Sequence, residues 1–141
     1  MINVVQFTHL DHDLVEKALA IRKAVFVEEQ GVDAMLELDK EEEASHYLLL
    51  LGEKPLATAR WRETEKGIKL ERFAVLPSFR NRGFGEIILK EVLKDVSPLE
   101  KPIYLHAQMR AVPFYQRHGF YISGEPFIEA GLTHYLMKYP D

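Results

Sequence analysis

The 141-residue chain contains no cysteine. Disulfides, thiolate metal sites and a cysteine nucleophile are thereby excluded, and the absence suits a reducing cytosol, so a cytoplasmic location is expected. An excess of positive charge is also missing: 18 Lys and Arg stand against 22 Asp and Glu, giving a net charge of -4. A broad nucleic-acid footprint needs clustered cations, so no nucleic-acid partner is expected and any phosphate site must be local. Long apolar runs are lacking too. The longest, residues 47–51, falls far short of the roughly 20 residues that cross a bilayer. Met1 opens no signal-like segment, and no membrane partner is expected. The six histidines show no H-x-x-x-H or H-E-x-x-H spacing, so no metal is expected.

What is present reads as one globular domain covering residues 1–141, with 47% hydrophobic and 28% charged residues. Residues 2–7 read as a strand. Leu14, Val15, Ala18, Leu19, Ile21, Val25 and Phe26 then recur at helical spacing behind Asp11 or Asp13 as a cap. Residues 31–43 are polar and acidic, a loop with a short helix. Strand patterns over 46–51, 56–63 and 68–75 are separated by short turn-rich stretches, which predicts an antiparallel meander. Ile88, Leu89, Val92, Leu93 and Val96 line one helical face. Strands at 103–107, 120–123 and 133–139 and a short helix over 112–118 complete the order. A strand, helix, strand crossover at residues 68–107 makes its two strands parallel neighbours.

The strongest local feature is the passage from the strand ending at Val75 through Pro77 into Arg80-Asn81-Arg82-Gly83-Phe84-Gly85 and straight into a helix. Amides at a helix start have no intrahelical acceptor and carry partial positive charge. Gly83 and Gly85 have no side chain to hold a diphosphate away, and Arg80 and Arg82 can add charge-assisted hydrogen bonds. Tight turns use glycine as well, so the loop alone does not decide. The nucleoside-triphosphate pattern G-x-x-x-x-G-K-[ST] and a dinucleotide-type G-x-G-x-x-G are both absent.

With Glu71-Arg72-Phe73-Ala74-Val75 before it and Pro113-Phe114-Tyr115-Gln116-Arg117-His118-Gly119-Phe120 after it, this loop resembles the [QR]-x-x-G-x-[GA] signature of the GNAT acetyltransferase superfamily. Residues 22–30 and Arg60-Trp61-Arg62 extend the resemblance over nearly the whole chain, toward a small bacterial subgroup similar to glucosamine-phosphate N-acetyltransferases. The resemblance implies an α/β (α+β) fold: a mixed, mostly antiparallel sheet of six to seven strands, flanked by about four helices, with splayed parallel central strands. It also implies an N-acetyltransferase that moves an acetyl group from acetyl-CoA to a primary amine by direct attack in a ternary complex. The amides of Arg82, Gly83, Phe84, Gly85 and Glu86 would meet the diphosphate, with Arg80 and Asn81 in the same loop. The backbone of Phe73, Ala74 and Val75 would run beside the pantetheine arm, with Phe114 nearby. Gln108 stands where relatives often carry an asparagine that holds the pantetheine.

The attacking amine is mostly protonated at neutral pH and must lose a proton. By the resemblance Glu71 is the general base, directly or through water; a solvent-facing strand residue is the alternative. Alternation along the strand puts Glu71 on one face with Phe73 and Val75, where partial desolvation would raise its pKa. Arg72 stands where many relatives have an acid. Tyr115 matches the family's acid for the departing thiolate, and an aromatic core residue is the alternative. A main-chain N–H near Val75 would serve the tetrahedral oxyanion if the strand bulges there.

Acceptor-binding candidates are Glu29 and Gln30 at the end of the first helix, Arg60 and Arg62 on one strand face, and His134 in Gly131-Leu132-Thr133-His134, which resembles the subgroup's closing motif. A salt-bridge ladder explains the arginines equally well, and His106 and His134 also read as structural. The acidic run 37–43 reads as a solvated face. Two other functions stay open: a catalytically silent acetyl-CoA-binding sensor or interaction module, and a phosphate-binding module unrelated to CoA. Last-strand edges in such folds pair with one another, which leaves a homodimer open.

Overall fold

The short connections do produce a meander. In the computed structural model, which describes residues 1–33 and 40–140, β1 (Ile2–Phe7), β2 (Ser45–Leu51), β3 (Lys54–Thr64) and β4 (Gly67–Val75) pair antiparallel in that order. The crossover then carries the chain to β5 (Ile103–Gln108), parallel to β4. Strand β8 (Leu132–Lys138) closes antiparallel on β5. Its other edge is taken by β6 (Tyr121–Ile122) and β7 (Phe127–Glu129), so the expected open last-strand edge is covered. The described sheet thus has eight strands; β7, three residues long, is too short to leave a period in the sequence.

Three described α-helices flank it. Helix α1 (His12–Arg22) starts at Asp11, whose side chain makes no capping bond; only its carbonyl accepts from the Val15 amide, at 2.9 Å. The helix continues as a π-helical turn, Lys23–Glu29, before stopping at Gln30. Residues 34–39 of the acidic segment lie outside the described residues; its end is a 3-10 turn, Glu41–Glu43.

Helix α2 (Phe84–Val96) buries the expected stripe, Ile88, Leu89, Val92 and Val96, against the sheet. Full burial stabilises by about 1.5–3 kcal/mol per large apolar side chain, which is why this face holds the helix down. The Tyr47 hydroxyl adds a polar peg, donating to Asp95 of α2 at 2.8 Å. Helix α3 (Val112–Arg117) is short, with Val112 and Tyr115 buried. One core lies between α2, α3 and the sheet; a second, with Ala18, Ile21 and Val25, packs α1 on the opposite face.

Two features of β4 position everything that follows. Its parallel pairing with β5 ends at Leu70 opposite Leu105, and beyond that rung the strands part. Its antiparallel register with β3 slips, since Thr58 pairs Ala74 but Arg60 pairs Glu71. Arg72 and Phe73 therefore oppose Ala59 alone, and Arg72 takes a left-handed φ of 57°. This is a β-bulge, and it lies at Arg72 rather than near Val75.

Candidate active site

The bulge changes which face Glu71 occupies. Simple alternation would group Glu71 with Phe73 and Val75, but the extra residue turns Glu71 onto the α1 face, the face of Ala74. Phe73 and Val75 pack with the α2 core. On the α1 face Glu71 meets three cations: Arg60 Nε at 3.0 Å, Arg62 Nε at 2.7 Å and Lys69 Nζ at 3.3 Å. Burial pushes its carboxyl up, but Arg60, Lys69 and the Arg62 hydrogen bond outweigh that and hold it at about 2. The expected upward shift is thus reversed, because the neighbours are cations rather than apolar side chains.

Arg60 is itself 1% exposed and reaches on to Glu41, which also accepts two 2.9 Å bonds from buried Arg22. Its guanidinium is built into a buried ionic chain and does not open onto a ligand cleft, so the expected grip on an acceptor is not available to it. Arg62, two residues on, does border the cleft.

That cleft, about 840 Å³, opens where β4 and β5 diverge. Phe73, Ala74 and Val75 form one wall, and Gln108 the other. The Gln108 amide donates to Gln30 Oε1 at 2.6 Å, so the π-turn closes the space from the α1 side. At one end lie Arg80, Asn81, Gly83, Phe84, Gly85 and Glu86. The first hydrogen bond of α2 runs from the Ile87 amide to the Gly83 carbonyl, 3.1 Å, so the amides of residues 83–86 precede the helical ladder. Gly83 has a φ of 85°, and a Cβ placed there would meet nothing within 4 Å. The approach to these amides is open. A Cβ on Gly85 would lie 3.4 Å from the Phe114 ring, so that glycine lets α3 sit close.

The loop's arginines do not point where the sequence suggested. Arg80 donates through Nε to the Val75 carbonyl at 3.0 Å and through both terminal nitrogens to Glu29, each at 2.7 Å. Its charge is thus committed to a carboxylate, and Glu29, expected at the acceptor, pairs with it and does not line the cleft. Arg82 lies over the Phe79 ring, 5.5 Å from its centroid, outside the cleft lining. Glu86 turns to Lys90 at 2.9 Å.

Tyr115 reaches the cleft from α3, with its ring edge-on to Phe73, Phe114 and Phe120. No buried side-chain oxygen among the described residues is left without a partner, and the Tyr115 hydroxyl has no hydrogen-bond partner among them; it must therefore open onto the cleft. Burial pushes its pKa above the ordinary phenol value.

The far end carries a cluster that the sequence did not bring together. Glu129 Oε1 lies 3.0 Å from His106 Nδ1, and Glu129 Oε2 lies 3.7 Å from His134 Nε2. His134 Nδ1 is 2.9 Å from the Leu132 carbonyl. Phe127 packs edge-on to His106 and stacks on His134. Glu129 sits on the unforeseen strand β7, so only its distance in space from the histidines, not its spacing, reveals the group. No group of three or more His, Cys, Asp or Glu among the described residues is placed to hold a metal ion, and no described helix is long and apolar enough to cross a membrane.

Comparison with known proteins accords with this geometry. The acetyltransferase (GNAT) domain family matches residues 11–140. The chain belongs to the GNAT acetyltransferase family. It is similar to the uncharacterized N-acetyltransferase YjcF of Bacillus subtilis, 39% identical over 130 residues that cover 90% of this chain and 93% of that one. Among solved structures, Escherichia coli ElaA superimposes with a TM-score of 0.88 at 25% identity, covering 99% of this chain and all of that one. An acyl-CoA N-acyltransferase from Pseudomonas aeruginosa shares the fold, with a TM-score of 0.86 at 23% identity and coverage of 99% and 100%.

Proposed function

We propose that the chain transfers an acetyl group from acetyl-CoA to a primary amine by direct attack in a ternary complex. The observation that carries this reading is the fork between β4 and β5, which leads from open amides at residues 83–86 to the Tyr115 hydroxyl. An extended pantetheine arm fits between parted strands, where backbone groups lose their sheet partners. The diphosphate fits the helix start, whose amides carry partial positive charge. The two arginines of the loop add little there, so main-chain donors supply most of the grip.

Tyr115 gives its proton to the departing sulfur. Beyond the last rung at Leu70, the main-chain N–H groups of β4 that face the fork lie outside the β4–β5 ladder, and one of these donors serves the oxyanion. Glu71 acts as an organiser of Arg60, Arg62 and Lys69 rather than as the proton acceptor. A carboxylate held at about 2 accepts a proton from an ammonium too rarely near neutral pH.

Calorimetry of the purified chain with acetyl-CoA and with ATP, followed by thiol release across a panel of amino acids, polyamines, an aminosugar phosphate and lysine peptides, tests the proposal. Selective acetyl-CoA binding with amine-dependent thiol release is expected. Tight binding without release from any amine would indicate a silent binding module, and equal affinity for ATP a general phosphate site.

A further inference from the structure

The last rung between β4 and β5 joins Leu70 to Leu105, so Glu71 and His106 are the first residues on either side of the fork. By alternation both side chains lie on the α1 face, opposite the side from which Tyr115 enters. An acceptor amine arriving on that face meets these two groups first. Glu71 is bonded to three cations, whereas His106 is a quarter exposed to the cleft, at 27%.

Building on the proposed acetyl transfer, we infer that His106 is the proton acceptor for the incoming amine, oriented by Glu129. A carboxylate can only accept, so the 3.0 Å contact with Glu129 Oε1 places the His106 proton on Nδ1. Nε2 then carries the free lone pair. The same logic fixes His134, whose Nδ1 donates to the Leu132 carbonyl. Its ring thus packs beside Glu129 without competing for the oxygen that His106 uses. His118, the other histidine in the cleft, packs edge-on to Phe114 at the end where Gly85 and Glu86 lie.

The protons balance. The ammonium gives one proton to His106 Nε2, and the nitrogen lone pair forms the C–N bond as the thioester C=O bond opens. When the carbonyl re-forms, the C–S pair leaves on sulfur, which takes the Tyr115 proton. The phenolate recovers the second proton of the former ammonium, and the imidazolium releases its own to solvent. The charged and titratable groups on the elements around His106 are Glu129 on β7, Glu71 and Lys69 on β4 and His134 on β8, and Tyr104 on β5 is a tilted neighbour.

The test follows kcat/KM against pH for the amine that the panel identifies, beside acetyl-CoA affinity by calorimetry. Wild type should lose activity below an imidazole pKa. His106→Gln should lower kcat/KM at least 100-fold, remove that acidic limb and leave the acetyl-CoA Kd within twofold. Glu129→Gln should lower kcat/KM about tenfold and move the limb to lower pH. An unchanged profile in His106→Gln, or a limb abolished by His134→Gln instead, overturns the assignment. An independent reading needs no turnover: nitrogen-15 histidine spectra should show neutral His106 as the Nδ1–H tautomer, and a proton resident on Nε2 overturns the inference even if acetyl transfer itself is real. Absence of acetyl-CoA binding would instead defeat the underlying function and leave the spectra to judge His106.

Discussion

Arg80 and Glu29, 51 residues apart in the chain, meet in a two-pronged ion pair of 2.7 Å bonds. The pair ties the loop before α2 to the π-turn after α1, so the two rims of the cleft are fastened to each other. Both side chains are about one-third exposed. Such pairs contribute about 0.5–1 kcal/mol. A double-mutant cycle of Arg80→Gln and Glu29→Gln, read by urea unfolding, should give a coupling in that range. Arg80→Gln alone should cost more than Glu29→Gln, because it also removes the bond to the Val75 carbonyl. Equal single effects would show that this second bond contributes nothing.

Gly83→Ala separates strain from ligand approach. The left-handed φ costs an alanine about 1 kcal/mol, which lowers Tm by roughly 3–6 °C for a chain of this size. The added methyl meets no protein atom within 4 Å and stands where the diphosphate is proposed to lie. Acetyl-CoA affinity should therefore fall about tenfold or more by calorimetry while the circular dichroism spectrum is retained. Unchanged affinity would place the phosphates elsewhere.

The depressed Glu71 carboxyl makes stability depend on pH in a defined window. The folded value is about 2 against an ordinary 4.5, so the unfolded chain binds the proton more tightly. The stabilisation is fully present above pH 4.5 and is lost as pH falls toward about 2. Its size is on the order of 3 kcal/mol. Urea midpoints across this range should slope less in Glu71→Gln than in wild type. That variant should also be destabilised at pH 7, since Arg60 would remain buried beside a weaker acceptor.

Tyr115→Phe removes only a hydroxyl that has no hydrogen-bond partner among the described residues, so the melting temperature should hold within a few degrees. Turnover should fall about 100-fold with little change in acetyl-CoA affinity. Because burial raises the phenol's pKa, the group stays protonated through pH 10, and wild type should show no alkaline loss of activity from this residue below that pH. A Tyr115→Phe protein with wild-type turnover would remove the acid from the mechanism.

Leu89→Ala addresses the scaffold. Leu89 is fully buried beneath α2, and its truncation should cost about 2–5 kcal/mol by chemical unfolding. The acetyl-CoA Kd of the remaining folded protein should be unchanged, since Leu89 lies outside the cleft lining.

The sequence by itself determined the order of elements, because period-2 and period-3.6 apolar patterns are local. It also determined the glycine loop at the head of α2, because left-handed backbone and open amides leave a visible residue signature. The motifs around Glu71, Arg80 and Tyr115 named the family. Tertiary structure decided where those side chains point and what they pair with. One extra residue at Arg72 turned Glu71 to the other face, a change that no alternation pattern contains. Glu29 captured Arg80 from 51 residues away, Arg60 disappeared into an ionic chain with Glu41, and a three-residue strand brought Glu129 to His106 and His134. Charge pairing and strand register act through space between segments far apart in the chain, so folding alone settles which carboxylate meets which cation.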